Sequence, residues 1–127
     1  MKLLNSDMVM LIHEEVINDH ELQGVAGNKS LDAVLNRVEN RIQYGLIVDV
    51  FDLAATYAAV IAVGHVFNDA NKRTAYRTMM ICLRLNGFFP EFDTETIGQV
   101  MIRVAQGKMD EVELARYLRN LNTSDVS

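Results

Sequence analysis

Residues 53–73 read LAATYAAVIAVGHVFNDANKR, and this stretch decides how the chain folds. Its first part, Leu53 to Val63, is almost wholly apolar. A helix apolar on every side belongs in the middle of a fold. The run is too short for a bilayer, which needs roughly 20 apolar residues. Gly64 closes it. The nine residues His65 to Arg73 then place an imidazole, a carboxylate, two carboxamides and two cations together, with Phe67 as the one large ring. After them, Thr74 to Leu85 carries a helical pattern, with Gly87 suited to its C′ position.

Working outward, the periodicity is helical nearly throughout and the single proline, Pro90, falls in a short irregular crossing from Phe88 to Phe92. Ser6 can cap a first helix with Met8, Leu11, Ile12 and Val16 on its apolar stripe, ending near His20. Glu21 to Lys29, with Gly24 and Gly27, reads as an irregular loop. Ser30 can cap a second helix bearing Leu31, Val34, Leu35, Val38 and Ile42, stopped at Gly45. Asp49 or its neighbours open the central helix, and a fourth starts within Ala70 to Arg73 and runs to Asn86. Thr94 to Gln106 gives a fifth and Asp110 to Leu121 a sixth. The pattern predicts an all-α fold, one compact domain of about six helices over residues 1–121, with a flexible tail over 122–127.

Composition bounds the class. At 127 residues, 50% hydrophobic and 23% charged, the chain has the make-up of one globular domain with a real core. The net charge of −5 and the scatter of the cations argue against direct nucleic-acid binding, which favours a basic face. The start of the chain, Met1-Lys2-Leu3-Leu4 running into Asn5, Ser6 and Asp7, has no leader pattern, so a cytoplasmic location without membrane is expected. The lone Cys82 sits among apolar neighbours and reads as a small buried hydrophobe.

The residue types in 65–73 suit work on a phosphate-containing group. His65 can act as a general base near neutral pH, its ordinary pKa being about 6.5. Asp69 can hold magnesium, which takes one or two protein carboxylates and completes its shell with water and phosphate. The alternative is that it caps the following helix, a use that competes for the same oxygens; with Asp69 on the metal, Asn68 or Asn71 can supply the cap instead. A helix N-terminus near Asn68, Ala70 and Asn71, with the cations Lys72 and Arg73, makes an anion cradle, and Arg73 can clamp phosphate oxygens in bidentate fashion. The plainer alternative for Lys72 and Arg73 is a solvated basic turn. Arg77, one turn on, either extends the cationic face or is a surface arginine. Phe67 can pin the loop from the core, so that its polar neighbours keep their geometry. His13 and His20 read as structural or surface residues, and Tyr57 and Tyr76 as residues that pack or cap polar gaps.

His65, Phe67, Asp69, Asn71 and Arg73 also stand at the defining positions of the Fic/Doc family, which this stretch closely resembles. Ala70 and Lys72 replace glycines found in most members, and that pairing resembles the Doc branch, the toxin half of bacterial toxin–antitoxin pairs. The similarity extends to Gly24-Val25-Ala26-Gly27, to Leu31 through Arg37, and to Tyr44-Gly45. It implies a helical domain that uses ATP and magnesium to move the γ-phosphate onto a hydroxyl of a target protein, with elongation factor Tu as target and arrested translation as outcome. In the resemblance Lys72 goes with γ-phosphate transfer, whereas glycine-bearing members mostly transfer AMP, so AMP transfer is the alternative. A flap in the region of residues 21–29 would hold the target segment as an added strand. No Ser/Thr-x-x-x-Glu-Gly/Asn inhibitory stretch occurs here, so the resemblance points to a small antitoxin acting in trans. A module that only binds such an antitoxin is a third reading.

Overall fold

In the computed structural model of the protein, six helices follow one another in the order α1 (Ser6–Val16), α2 (Leu31–Gln43), α3 (Val50–Gly64), α4 (Asn71–Leu85), α5 (Thr94–Ala105) and α6 (Glu111–Val126). The structure describes the backbone of residues 1–126 and the side chains of residues 1–122. The expected tail over 122–127 therefore falls outside the described side chains except at Asn122, and Ser127 lies outside altogether. All six expected helices are present, and the all-α class holds.

The central helix sits where its sequence places it. α3 packs against α2, α4, α5 and α6. Leu53, Ala54, Ala55, Ala58, Ile61 and Ala62 have no solvent exposure at all. The alanines leave room for neighbouring helices to approach, while Leu53 and Ile61 supply apolar bulk worth about 1.5–3 kcal/mol each on burial. Asp49 caps the helix by accepting from the Asp52 amide at 2.9 Å. Arg119 of α6 grips that end from outside through Asp49 and Asp52, and holds the Asp49 carboxyl below the usual carboxylate range. At its other end the helix emerges from the core, with Val63 exposed.

Caps and phases differ from the sequence reading in three places. Asn5, not Ser6, caps α1, its side-chain oxygen accepting from the Met8 amide at 2.9 Å. α1 ends at Val16, four residues before His20, and its buried face is Val9, Ile12 and His13. Leu11 is exposed. The stripe is rotated because a polar residue, His13, occupies a core position that an apolar pattern search passes over. α5 and α6 agree with expectation to within a residue at their starts, and Asp93 and Asp110 each accept an amide hydrogen bond from the first turn.

Two side chains tie the N-terminal segment down. Asn86 binds both the amide and the carbonyl of Lys2. The Tyr57 hydroxyl accepts from the Leu4 amide at 2.9 Å and donates to the Leu4 carbonyl at 3.0 Å. Tyr57 thus fills a polar gap, as its sequence reading held. Cys82 is buried, and burial pushes its thiol up to about 12, which makes it an inert core residue. Among the described residues no helix is long and apolar enough to cross a membrane.

Candidate active site

The loop between α3 and α4 is only six residues long, and two left-handed residues bracket it. His65 closes α3 at φ 46°, ψ 45°, and Ala70 precedes α4 at φ 65°, ψ 31°. Gly64 itself stays helical, so the reversal expected of a glycine falls on the histidine. Between the brackets Val66 and Phe67 turn inward and are buried, while His65 and Asn68 face solvent. Asn71 fastens the centre: its Oδ1 accepts from the Phe67 amide and its Nδ2 donates to the Phe67 carbonyl, each at 3.0 Å. Asn71 therefore shapes the loop and leaves the helix uncapped. Neither Asn68 nor Asp69 caps it either, for Ala70 is the N-cap residue and makes no side-chain cap hydrogen bond.

That uncapped N-terminus opens into a cleft of about 330 Å³ lined by His65, Asn68, Asp69, Ala70, Asn71, Lys72 and Arg73, together with Glu21, Ala62 and Ala105. The amides of the first helical turn have no intrahelical partner and form a natural anion site. Six of the seven residues proposed to bind phosphate or to act on it thus line one cavity with Asp69. Arg77 is exposed on α4 and is not part of its wall. On the far side of Lys72 and Arg73 lies a second, apolar groove of about 480 Å³, walled by Tyr76 of α4 and by Ile97, Gly98, Met101 and Ile102 of α5.

The two cations differ in their surroundings. Among the described residues Lys72 pairs with no carboxylate, and it is exposed. Arg73 donates from Nη1 to the Val16 carbonyl at the end of α1, at 2.7 Å, and from Nη2 to Glu21. The Arg73 guanidinium and the Asn18 amide hold the Glu21 carboxyl below the usual carboxylate range. The Arg73 side chain is 45% exposed and that of Glu21 15%, so the pair is partly open to water and salt.

The loop after α1 closes over the motif from above. Ala26 donates to the Val66 carbonyl at 2.9 Å and Asn68 to the Gly24 carbonyl at 3.1 Å, which makes an antiparallel bridge of Val25 with Phe67. The Asn68 side chain adds a bond to the Gln23 carbonyl at 3.1 Å. Asp69 accepts the Leu22 amide on Oδ2 at 2.7 Å. Among the described residues its Oδ1 has no hydrogen-bond partner. No group of three or more His, Cys, Asp or Glu side chains forms a metal cage among the described residues. The donor set suits a cation that takes one carboxylate and keeps water and phosphate in its other positions, and magnesium is such a cation.

Sequence reading missed two participants. Glu21 was seen only as part of a loop, since nothing local pairs it with an arginine 52 positions away. His13 was set aside as structural or surface. It is 1% exposed, lies flat on the Phe67 ring at 3.9 Å and 6°, and places Nδ1 3.0 Å from the Thr74 hydroxyl. A histidine at spacing i+4 from Val9 and i+1 from Ile12 was the available signal.

Comparison with known proteins accords with this geometry. The family model described as "Fic/DOC family" matches residues 3–83, which include α1 through most of α4 and the whole motif. The chain is 33% identical over 122 residues to the protein called "Protein kinase doc" of Escherichia phage P1, covering 95% of this chain and 96% of that one. Family model and full-length relative together establish that the chain belongs to the Fic/DOC family.

Proposed function

We propose that this protein is a Doc-like toxin that transfers the γ-phosphate of ATP to a hydroxyl of a target protein. The observation that carries the reading is the convergence of His65, Asp69, Lys72 and Arg73 on one cleft at the uncapped N-terminus of α4. The name of the phage relative, a protein kinase, supports a kinase over other transfers.

In this reading the first-turn amides of α4 and Arg73 bind phosphate oxygens, with Arg73 leaving Glu21 to do so. Asp69 would hold magnesium through the oxygen that Leu22 leaves free, and the ion would neutralise charge on the departing ADP. Lys72, unpaired and flexible, follows the transferring group as a point charge. His65 accepts the proton of the acceptor hydroxyl as its oxygen attacks the γ-phosphorus and the bond to the bridging oxygen of ADP breaks. The αL conformation of His65 supports this role, because it aims an exposed imidazole at the cleft mouth while Val66 and Phe67 stay buried.

Elongation factor Tu, with arrested translation, is the target that the family resemblance implies, and a small antitoxin in trans is the partner. The loop 21–29 already pairs with the motif backbone, which supports presentation of the acceptor segment along that edge.

Transfer from ATP labelled at the α or the γ position, with magnesium, into purified elongation factor Tu and into a cell extract tests the proposal. Label from the γ position, lost in His65→Ala, is the expected result. Label from the α position would replace it with AMP transfer, and no label with tight antitoxin binding would favour a binding module. His65→Ala should lower the rate by roughly 10²–10⁴-fold, the usual contribution of a positioned base.

A further inference from the structure

We propose that His13 is a positioning residue for the transfer site, acting through the ring of Phe67. This inference rests on the phosphotransfer reading above for its catalytic consequence, but the placement is visible without it. Phe67 stands midway between His65 and Asp69, two residues from each. Any tilt of Phe67 therefore reaches both the base and the carboxylate. Its backbone is held on one side by Asn71 and lies against the 24–26 segment on the other. Its ring is held by His13, which lies face to face with it at 3.9 Å and an interplanar angle of 6°. The Nδ1 atom of His13 lies 3.0 Å from the hydroxyl of Thr74, which is itself fully buried in the first turn of α4.

One imidazole thus joins three elements that meet at the cleft: the last turn of α1, the motif loop and the start of α4. The loop has no regular secondary structure, and both ends are in a conformation that L-residues avoid. It keeps that shape only because its surroundings over-determine it. A flat ring contributes what an aliphatic side chain of similar volume does not, since only a planar partner fixes the plane of the Phe67 ring. Among the described residues the Nε2 atom is buried without a partner. The contact with Thr74 satisfies Nδ1, while the stack on Phe67 is made by the flat face of the ring.

The test uses the full chain with His13→Phe and His13→Leu. Three quantities are read: thermal unfolding, amide hydrogen exchange at Ala26 and Asn68, which bond across the loop contact, and kcat and KM for ATP. His13→Phe keeps a flat ring and should match the parent in all three. His13→Leu should stay folded while exchange at Ala26 and Asn68 speeds up about tenfold and kcat falls about tenfold, the scale expected when reacting groups shift by less than an ångström. KM for ATP should move less than about twofold, because the phosphate cradle is untouched. Parental exchange and kcat in His13→Leu would overturn the proposal and make His13 core filler. Losses in His13→Phe equal to those in His13→Leu would overturn it as well, by assigning the effect to the Thr74 contact. If His13→Leu does not fold, Thr74→Val removes that contact and leaves the stack. Unchanged exchange then supports the proposal, and faster exchange overturns it. If the parent protein transfers no phosphate, the phosphotransfer reading fails, and the exchange comparison alone decides the role of His13.

Discussion

Helix α4 is flanked at both ends by a left-handed residue, and the two ends obey different rules. At its C-terminus Gly87 takes φ 90°, and the Phe88 amide reaches back to the Leu83 carbonyl at 2.9 Å in a Schellman closure. Gly45 and Gly107 do the same job after α2 and α5, at φ 72° and 75°. At its N-terminus the left-handed residue is Ala70, and across the loop the partner that closes α3 is His65. Structural ends use the residue without a Cβ. The site uses residues that bear one, at a cost that stays local to the loop. Departures from local rules gather where chemistry needs a fixed and unusual geometry.

Exchanging residues between these two kinds of end should expose the difference. The largest effect is expected from His65→Gly, which removes the base and makes the α3 end resemble the others. Phosphate transfer should fall by at least about 10²-fold. Stability should change by less than about 0.5 kcal/mol, because histidine is among the residues that tolerate the αL region and glycine costs entropy in the unfolded chain. Assays of transfer and urea unfolding on the same preparation check both halves. A large gain in stability would mean that His65 carries more strain than its residue type implies.

Gly87→Ala makes the reverse exchange at the structural end. Among the described residues no atom lies within 4 Å of the Cβ it would add, so backbone strain is what opposes it. The expected loss is about 1–2 kcal/mol, with transfer activity unchanged. A cost near zero would show that the Schellman turn relaxes, and the contrast with the site would weaken. Ala70→Gly is the smaller, opposite case. It should stabilise the protein by about 0.5–1 kcal/mol, since alanine at φ 65° is strained and the position makes no cap hydrogen bond of its own. Urea unfolding measures it, and a loss of stability would mean that the methyl group packs usefully in the cleft.

These contrasts also show why part of the molecule was legible in sequence and part was not. α3 could be placed at the centre because Leu53 to Val63 is apolar on every face, which only a core helix permits. The ends at Gly45 and Gly87 were legible because a glycine after an apolar period has one common use. The motif was legible because its functional groups are contiguous and needed no tertiary information to be seen together. Arg73 shows the limit. Its guanidinium is bound by Glu21 and the Val16 carbonyl, and those contacts arise only when α1 packs on α4. The α1 stripe was misphased for a related reason. His13 is polar by type and apolar by use, so an apolar pattern selects Leu11 and rotates the face away from Val9, Ile12 and His13. Asp69 as metal ligand or helix cap could not be decided from its type; Ala70 as N-cap residue removes the second use, and the Leu22 amide takes one of its oxygens.

The smallest effect expected is a pH dependence that separates His13 from the other histidines. Burial lowers its pKa from the ordinary 6.5, against the opposing influence of Glu14, Glu21 and Asp69 and with that of Arg73. In the unfolded chain the same imidazole protonates near pH 6.5, so below that pH the unfolded state binds more protons than the folded one. The contribution of neutral His13 is therefore complete above pH 6.5 and declines as pH falls through its lowered folded value. In the parent protein alone, the other titrating groups of the chain would mask this. The comparison with His13→Phe removes them, because that variant keeps every other titrating group. Measured by urea unfolding from pH 7.5 down to 5, the stability of the parent relative to His13→Phe should decline as the pH falls below about 6.5. Parallel curves would mean that the imidazole finds a partner for its second nitrogen once protonated, and that the buried Nε2 is less isolated in solution than its surroundings indicate.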